Sequence, residues 1–513
     1  MRLGIDFGTT RTVVAAVQDG RHPVAAFDTG GEFSEHIPGL AALRGGQLVV
    51  GWDAARAIAD GEAECAIRSI KRVAAALAPD EPVPGLPGTT ALELVTAFLT
   101  EVRRGVLERS NLDAHEPLEA MLAVPASTPS RQRWLTLEAA RRAGFAPLGL
   151  LNEPTAAAIE YAHRYLGGVG KRSPKRYVVV YDLGGGTFDA SAVSLQDRRF
   201  DLIATEGVSR LGGDDFDEII LAAACEAAGA APAAGARAAA LERVREAKEG
   251  LRPTSRRLLI DLDGATAAPV TPVTPVTLDV SAIYARCQPL VDRTMVHTEL
   301  LFERLRDRGI DADDPRELGG VYLVGGAAAF PAVARTLRAR FGRKLQLAPQ
   351  PFAATAIGLA IAADPDADVR VRESVTRHFG VWREGAAGAD KVFDRLIDKG
   401  AAADGPLVVE RRYRPTHSVG HLRFLECGTV DEDGQPVDDL VPAADVYFPY
   451  DPRLADREDR EELARAPVER RPDLASEEIA ETYTYAPDGT IEVCIENLSS
   501  GYARRFALGA RQP

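Results

Sequence analysis

Two aspartates at the ends of apolar strands frame the chemistry available to this chain: Asp6 in "LGIDFGTTRTVVAAV" and Asp182 in "VVYDLGGGTFDASAVSL". In each stretch an apolar run leads to Asp, one apolar residue, a turn of glycine and threonine, and a second strand. Glycine loses the most backbone entropy on folding and packs nothing, so consecutive glycines mark a main chain that something must approach closely. Such a turn presents N–H groups and threonine hydroxyls without a side-chain wall, which suits phosphate oxygens. A carboxylate at the strand end suits the water shell of a magnesium ion, which gives up its waters reluctantly. One hairpin of this kind is an ordinary turn. Two on a shared plan, with Asp6 and Asp182 in equivalent places, predict two homologous halves facing one another. A third glycine turn, "LVGG" ending at Gly326, follows a long helical stretch.

Bulk properties narrow the classes further. The 513 residues exceed a single core, so two or three domains are expected. A net charge of −14, without any local block of lysine or arginine, argues against nucleic acid as a partner. The five cysteines (Cys65, Cys225, Cys287, Cys427, Cys494) are scattered and never in a C-x-x-C spacing, which points to a reducing compartment rather than a disulfide framework or zinc site. The start "MRLGIDFG" reads as a strand and not as a signal peptide, and no apolar run approaches a membrane span. A cytoplasmic protein with no membrane partner is expected.

The elements that must position these turns follow from periodicity. Helical spacing runs through Ala91 to Leu107 and Arg131 to Gly144, with the short buried-type strand "EAMLAVPA" between them. "LNEPTAAAIEYAHRY", Leu151 to Tyr165, reads as a loop and an alanine-rich helix. A long helix is expected from about Gln288 to Arg308, then a strand, the Gly-Gly turn and another helix. Ala222 to Ala240 is alanine-rich low complexity, expected as loop and helix, and "PVTPVTPVT" (Pro269 to Thr277) cannot be a central strand because each proline deletes a ladder donor. Beyond Asp364 the pattern changes to strands and turns, with a clear hairpin over Glu481 to Asn497. The charge-dense "DPRLADREDREELARAPVERRPD" reads as a solvated loop or exposed helix.

Together "GIDFGTT", "VYDLGGGTFDAS", "NEPTAAAIEYA", "LGGDDFD" and "YLVGG" resemble, in order, the seventy-kilodalton heat-shock (DnaK-like) chaperones of the actin-like ATPase superfamily. The resemblance implies an α/β fold: a two-lobed actin-like (duplicated ribonuclease-H-like) ATPase domain over residues 1–364, a linker at 365–373, and a smaller β-sandwich domain at 374–513. It implies ATP or ADP and Mg²⁺ in the cleft, with Asp6, Asp182 and Asp189 holding the ion through water. Gly8, Thr9, Thr10, Gly184, Gly185, Gly186 and Thr187 would cradle the phosphates, and Gly212, Gly213, Lys248, Gly325 and Gly326 would complete the nucleotide contacts. Lys71, Glu153, Asp182 and Thr187 would form the catalytic set, Lys71 beside the γ-phosphate and Glu153 orienting the attacking water. Pro125 and Arg133 match the proline and arginine with which the family relays nucleotide state. The implied activity is slow Mg-dependent ATP hydrolysis by a chaperone that binds a polypeptide client or one specific protein through its β domain, with a co-chaperone or exchange factor as a further partner. The alternative is a nucleotide-gated scaffold with little turnover.

Departures from the family pattern cluster at the nucleoside end. The third turn reads "GGAAAFP", so Ala327 and Ala329 stand where the family has serine and arginine, and weak base discrimination is expected. In "VREAKEGLRP", Arg245 takes an acid's place and Glu249 a place that is often basic, while Lys248 is kept. The linker "DADVRVRES" alternates valine with arginine, and Arg370 and Arg372 are expected to resist docking unless acids pair with them. The sequence ends at Pro513 without the family's helical lid, so an uncovered peptide groove is expected.

Overall fold

The structure, a computed structural model, describes the chain apart from residues 167–174, 196–198, 209, 231–236, 263–274, 312–313, 315, 386–389, 402–404, 457–459 and 510–513. The first glycine-threonine turn joins β1 (Arg2–Phe7) to β2 (Arg11–Ala16) as an antiparallel hairpin. With β3 (Ile37–Pro38) outside β2, and β4 (Glu119–Val124) and β5 (Ala146–Asn152) in parallel beyond β1, the sheet order is β5-β4-β1-β2-β3. Helices α1 (Ile70–Ala75), α2 (Ala91–Glu108), α3 (Ser130–Arg142) and α4 (Glu153–Tyr165) belong to this half. A capping box between Thr90 and Glu93 starts α2, whose Leu94, Val95, Phe98 and Val102 share a core with Leu3 and Ile5 of β1.

The second glycine turn joins β6 (Tyr177–Leu183) to β7 (Phe188–Ser194), followed by β8 (Arg199–Val208), β9 (Leu318–Val324), β10 (Leu345–Leu347) and β11 (Arg370–Arg372) in the order β10-β9-β6-β7-β8-β11. Counted from their first hairpins, the five strands from β5 to β3 and the five from β10 to β8 follow one order. This half carries α5 (Gly213–Ala228), α6 (Arg237–Glu249), α7 (Val280–Asp307), α8 (Pro331–Phe341) and α9 (Ala354–Ala363). The start of α7 lies earlier than the expected Gln288, because the Asp279 side chain accepts from Ala282 N at 2.9 Å and caps it there, and Pro289 is carried inside the helix. Of the alanine-rich stretch, residues through Ala228 lie in α5 and those from Arg237 in α6, with 231–236 outside the described residues. Most of "PVTPVTPVT" also lies outside them, and its last residues, Val276 and Thr277, pair in a two-stranded ribbon.

Between the two sheets run α4 and α9. They share a core with Val13 and Ala15 of β2 and with Val178 and Val180 of β6. Small residues set their approach: a Cβ on Gly358 would lie 1.8 Å from the Ala156 carbonyl oxygen. One on Gly4 would lie 2.3 Å from that of Ala356. This tight join fixes how the two halves face each other across the cleft.

Residues beyond β11 form two antiparallel four-stranded sheets. One has the order β13-β12-β15-β16, from β12 (His378–Gly385), β13 (Asp390–Ile397), β15 (Val419–Cys427) and β16 (Val441–Pro449). The other has the order β14-β17-β18-β19, from β14 (Leu407–Tyr413), β17 (Ile479–Tyr485), β18 (Ile491–Asn497) and β19 (Tyr502–Leu508). Phe379, Phe424 and Phe448 of the first and Ile479, Val493 and Phe506 of the second meet in one core. The charge-dense segment forms a short helix at Arg460–Arg465, mostly exposed, with Leu463 buried beneath it.

The linker runs against the second sheet. β11 adds to the edge of the second sheet, pairing in parallel with β8 through Phe200↔Val371, and Val369 and Val371 pack on the core around α9. Arg370 is exposed, whereas Val371 and Arg372 are both half-buried, so pairing leaves one guanidinium in water and takes the other partly into the surface.

Candidate functional site

The two glycine hairpins face one another across a cleft. Asp6 ends β1, and Gly8, Thr9 and Thr10 form the turn lining one wall. Asp182 ends β6 opposite, with Gly184, Gly185 and Thr187 beside it. The turns nearly touch, since a Cβ on Gly185 would sit 1.6 Å from Thr10 Oγ1. That hydroxyl is buried without a hydrogen-bond partner, which leaves a polar atom to be satisfied by a ligand at this wall. Gly186, Gly212 and Asp189 lie behind the cleft surface. The Gly186 carbonyl accepts from Arg72 Nη2 at 2.7 Å, and Gly212 packs on the Gly185–Gly186 peptide, where a Cβ would meet Gly186 N at 2.6 Å. The start of α5 is tied to the second turn by Gly213 N donating to Gly184 O at 3.0 Å and Asp214 N to Gly185 O at 2.7 Å.

Lys71 on α1 and Glu153 at the start of α4 meet over the cleft floor, Nζ to Oε1 at 2.5 Å, though they are 82 residues apart. Around them stand Asp6, Asp182 and Asp189, the last two directly opposite in the β6–β7 ladder. Desolvation is the main cause lifting all three carboxyls, with Glu153 adding to it and Lys71 opposing it. Asp6 is pushed up to about 7 and Asp189 to about 8. Like charges opposed across a ladder repel one another, and four acids against one lysine form a donor set that a divalent cation would relieve. Magnesium keeps most of its waters, and a carboxylate set of this kind would hold it through them. The residues therefore fit Mg²⁺.

Farther along the cleft lining, Gly325, Gly326 and Ala327 follow β9, with Pro351, Phe352 and Thr355 in the same lining. Gly325 takes φ +90°, and a Cβ there would lie 2.4 Å from Asp182 Oδ1, so this turn admits only glycine. Lys248 on α6 reaches Asp217 Oδ1 at 2.7 Å and donates to Gly213 O at 2.9 Å. Arg245 pairs with Asp214 at 3.3 Å and Glu242 at 3.2 Å, and Glu249 pairs with Arg11 from the other wall. His36 lies beside Arg11 and Arg245. Burial first, and then those two cations, hold it neutral, down to about 3. Sequence reasoning gave no role to Arg11, Arg72, Asp214, Asp217 or Phe352. Asp214 and Asp217 stood inside the quoted "LGGDDFD", whereas nothing local marks Phe352.

Pro125 lines the cleft just beyond β4. Arg133 is buried rather than on the surface. Its guanidinium donates to Asn152 Oδ1 at 2.6 Å, next to Glu153, and to Asp488 O at 3.3 Å in the β17–β18 turn. Two further carboxylates tie the C-terminal part to this half. Glu373 accepts from Asn152 N at 2.8 Å and from its side-chain amide at 2.6 Å. Glu426 accepts from Ser130 N at 3.1 Å, at the start of α3, where the helix dipole favours an anion.

A cleft between two sheets of one strand order, lined by paired Gly-Thr turns and carboxylates, places the chain in a mixed α/β class. Residues 90–375 match the family model described as Hsp70 protein. The chain is 34% identical over 385 residues to the chaperone protein HscA homolog of Chromobacterium violaceum, covering 71% of this chain and 58% of that protein. It is 35% identical over 383 residues to that of Burkholderia thailandensis and 35% over 387 residues to that of Bordetella pertussis, with the same shares. The chain belongs to the Hsp70 family. It spans 58% of the length of these curated relatives. All five cysteines are free, and no helix among the described residues is long and apolar enough to cross a membrane.

Proposed function

We propose that this chain binds Mg·ATP and Mg·ADP in the cleft, hydrolyses ATP slowly, and uses the nucleotide state to govern a polypeptide held by its C-terminal β-rich part. The two sheets are read as the lobes of an actin-like ATPase domain over residues 1–364, with 365–373 as linker and 374–513 as a β-sandwich. The observation that carries the reading is the meeting of the Lys71–Glu153 pair with three carboxylates and the Thr10–Gly185 cradle at one place. Bound Mg²⁺ would neutralise phosphate charge. Asp6 and Asp182, with Asp189 behind, would hold its water shell. Backbone N–H groups of the two turns bind phosphate oxygens, Lys71 places positive charge near the transferred group, and Glu153 accepts a proton-bearing partner and orients water. Phosphoryl transfer asks mainly for this positioning and charge neutralisation. The curated relatives are named chaperones, which supports a client polypeptide and a co-chaperone as partners here too. The intact Lys71–Glu153 pair beside the carboxylates favours turnover over a scaffold role. The test is phosphate release from Mg·ATP with no acceptor present, expected to be slow, lost with EDTA, and suppressed in Lys71→Ala. No release above the EDTA blank would refute it.

A further inference from the structure

The third glycine turn carries no cation, yet the cleft lining contains a guanidinium supplied from the opposite sheet. Arg11 opens β2 immediately after the Thr9–Thr10 turn and pairs with Glu249 at the end of α6, 238 residues away. Both side chains line the cleft. The other cations of this cleft are committed elsewhere among the described residues: Lys71 to Glu153, Lys248 to Asp217, and Arg245 to Asp214, Asp217 and Glu242. Among the described residues Arg11 has the single acid Glu249, and its side chain keeps 23% exposure, so part of it faces the open cleft. A carboxylate occupies one edge of a guanidinium. The planar faces and remaining N–H groups stay available for stacking and donation.

We infer that the guanidinium plane of Arg11, held across the cleft by Glu249, carries the base of a bound purine nucleotide in place of the side chain missing at Ala329. This rests on the nucleotide reading above and deepens it, assigning the nucleoside end to a residue of the first lobe. A base gripped by a pair that spans both lobes also makes nucleoside binding depend on lobe closure. Stacking on a guanidinium tolerates any purine, so ATP and GTP bind alike.

The experiment is calorimetric titration of the full chain with Mg·ATP, Mg·GTP and Mg·tripolyphosphate, which has no base, on wild type, Arg11→Ala and Arg11→Lys. Removing the guanidinium should weaken both nucleotides by about twofold to thirtyfold and leave tripolyphosphate unchanged. Arg11→Lys, which keeps the charge and loses the plane, should share most of that loss. Equal ATP affinity in all three proteins, full rescue by lysine, or an equal loss for tripolyphosphate would overturn the inference while leaving the nucleotide reading intact. A wild-type chain that binds neither ATP nor tripolyphosphate would overturn that reading, and this inference with it.

Discussion

Replacing Lys71 with alanine separates chemistry from architecture. Its side chain is only 15% exposed and that of its partner Glu153 12%, so each compensates a charge largely removed from water. Two effects compete on removing it. If Lys71 serves the transition state, losing one preorganised charge costs about 2.7–4 kcal/mol of barrier, or about 10²–10³ in turnover. If it serves only to neutralise Glu153, the loss falls on folding instead, up to about 3–5 kcal/mol for a fully buried charge left alone. Partial access to the cleft puts the structural cost at the lower end. The assay is single-turnover phosphate release together with thermal unfolding, for Lys71→Ala and for Lys71→Ala combined with Glu153→Gln. The expected result is a single variant that binds Mg·ATP yet turns over about 10²-fold or more slowly. The double variant should regain stability without regaining rate. Turnover within threefold of wild type, alongside a lowered melting temperature that the double variant restores, would refute a catalytic Lys71.

Gly358→Ala forces a Cβ to within 1.8 Å of the Ala156 carbonyl oxygen. The α4–α9 join should open at a cost of about 1–3 kcal/mol or more, read as a lower melting temperature. Arg133→Ala removes donors to Asn152 and Asp488. It should loosen the C-terminal sheets from the half that carries Asn152, which hydrogen exchange at residues 365–373 would report as lost protection. Glu373 and Glu426 are both held above the ordinary carboxyl value of 4.5, burial being the main cause. A raised acid binds more protons in the docked state than when freed, so docking weakens as pH rises from 4.5 through the raised values and strengthens as pH falls back. Exchange at 365–373 measured across that range should show the trend, and it should flatten in Glu373→Gln with Glu426→Gln.

What the sequence determined is what a few neighbouring residues suffice to specify. Two strands joined by Gly-Thr turns, an aspartate at each strand end, and the matched plan of the hairpins all depend on interactions within about twenty residues. The α2 helix was legible to within a residue for the same reason, its Thr90–Glu93 cap being local. Motif order then carried Lys71 and Glu153 into one site before any geometry was known. Which charges meet depends on the whole fold. Arg11 finds Glu249 across 238 residues, and Glu426 finds the amide of Ser130 across 296. The composition of a surface cannot say which of its many arginines and acids will face each other. Arg133 shows the same limit, since a helix arginine is buried or exposed according to what packs on it. For the linker, side-chain types leave out the backbone: pairing with β8 uses main-chain groups, and it leaves Arg370 exposed while Val371 and Arg372 are half-buried. Side-chain charge in one segment determines what it would avoid, whereas the free strand edge beside it determines where it goes.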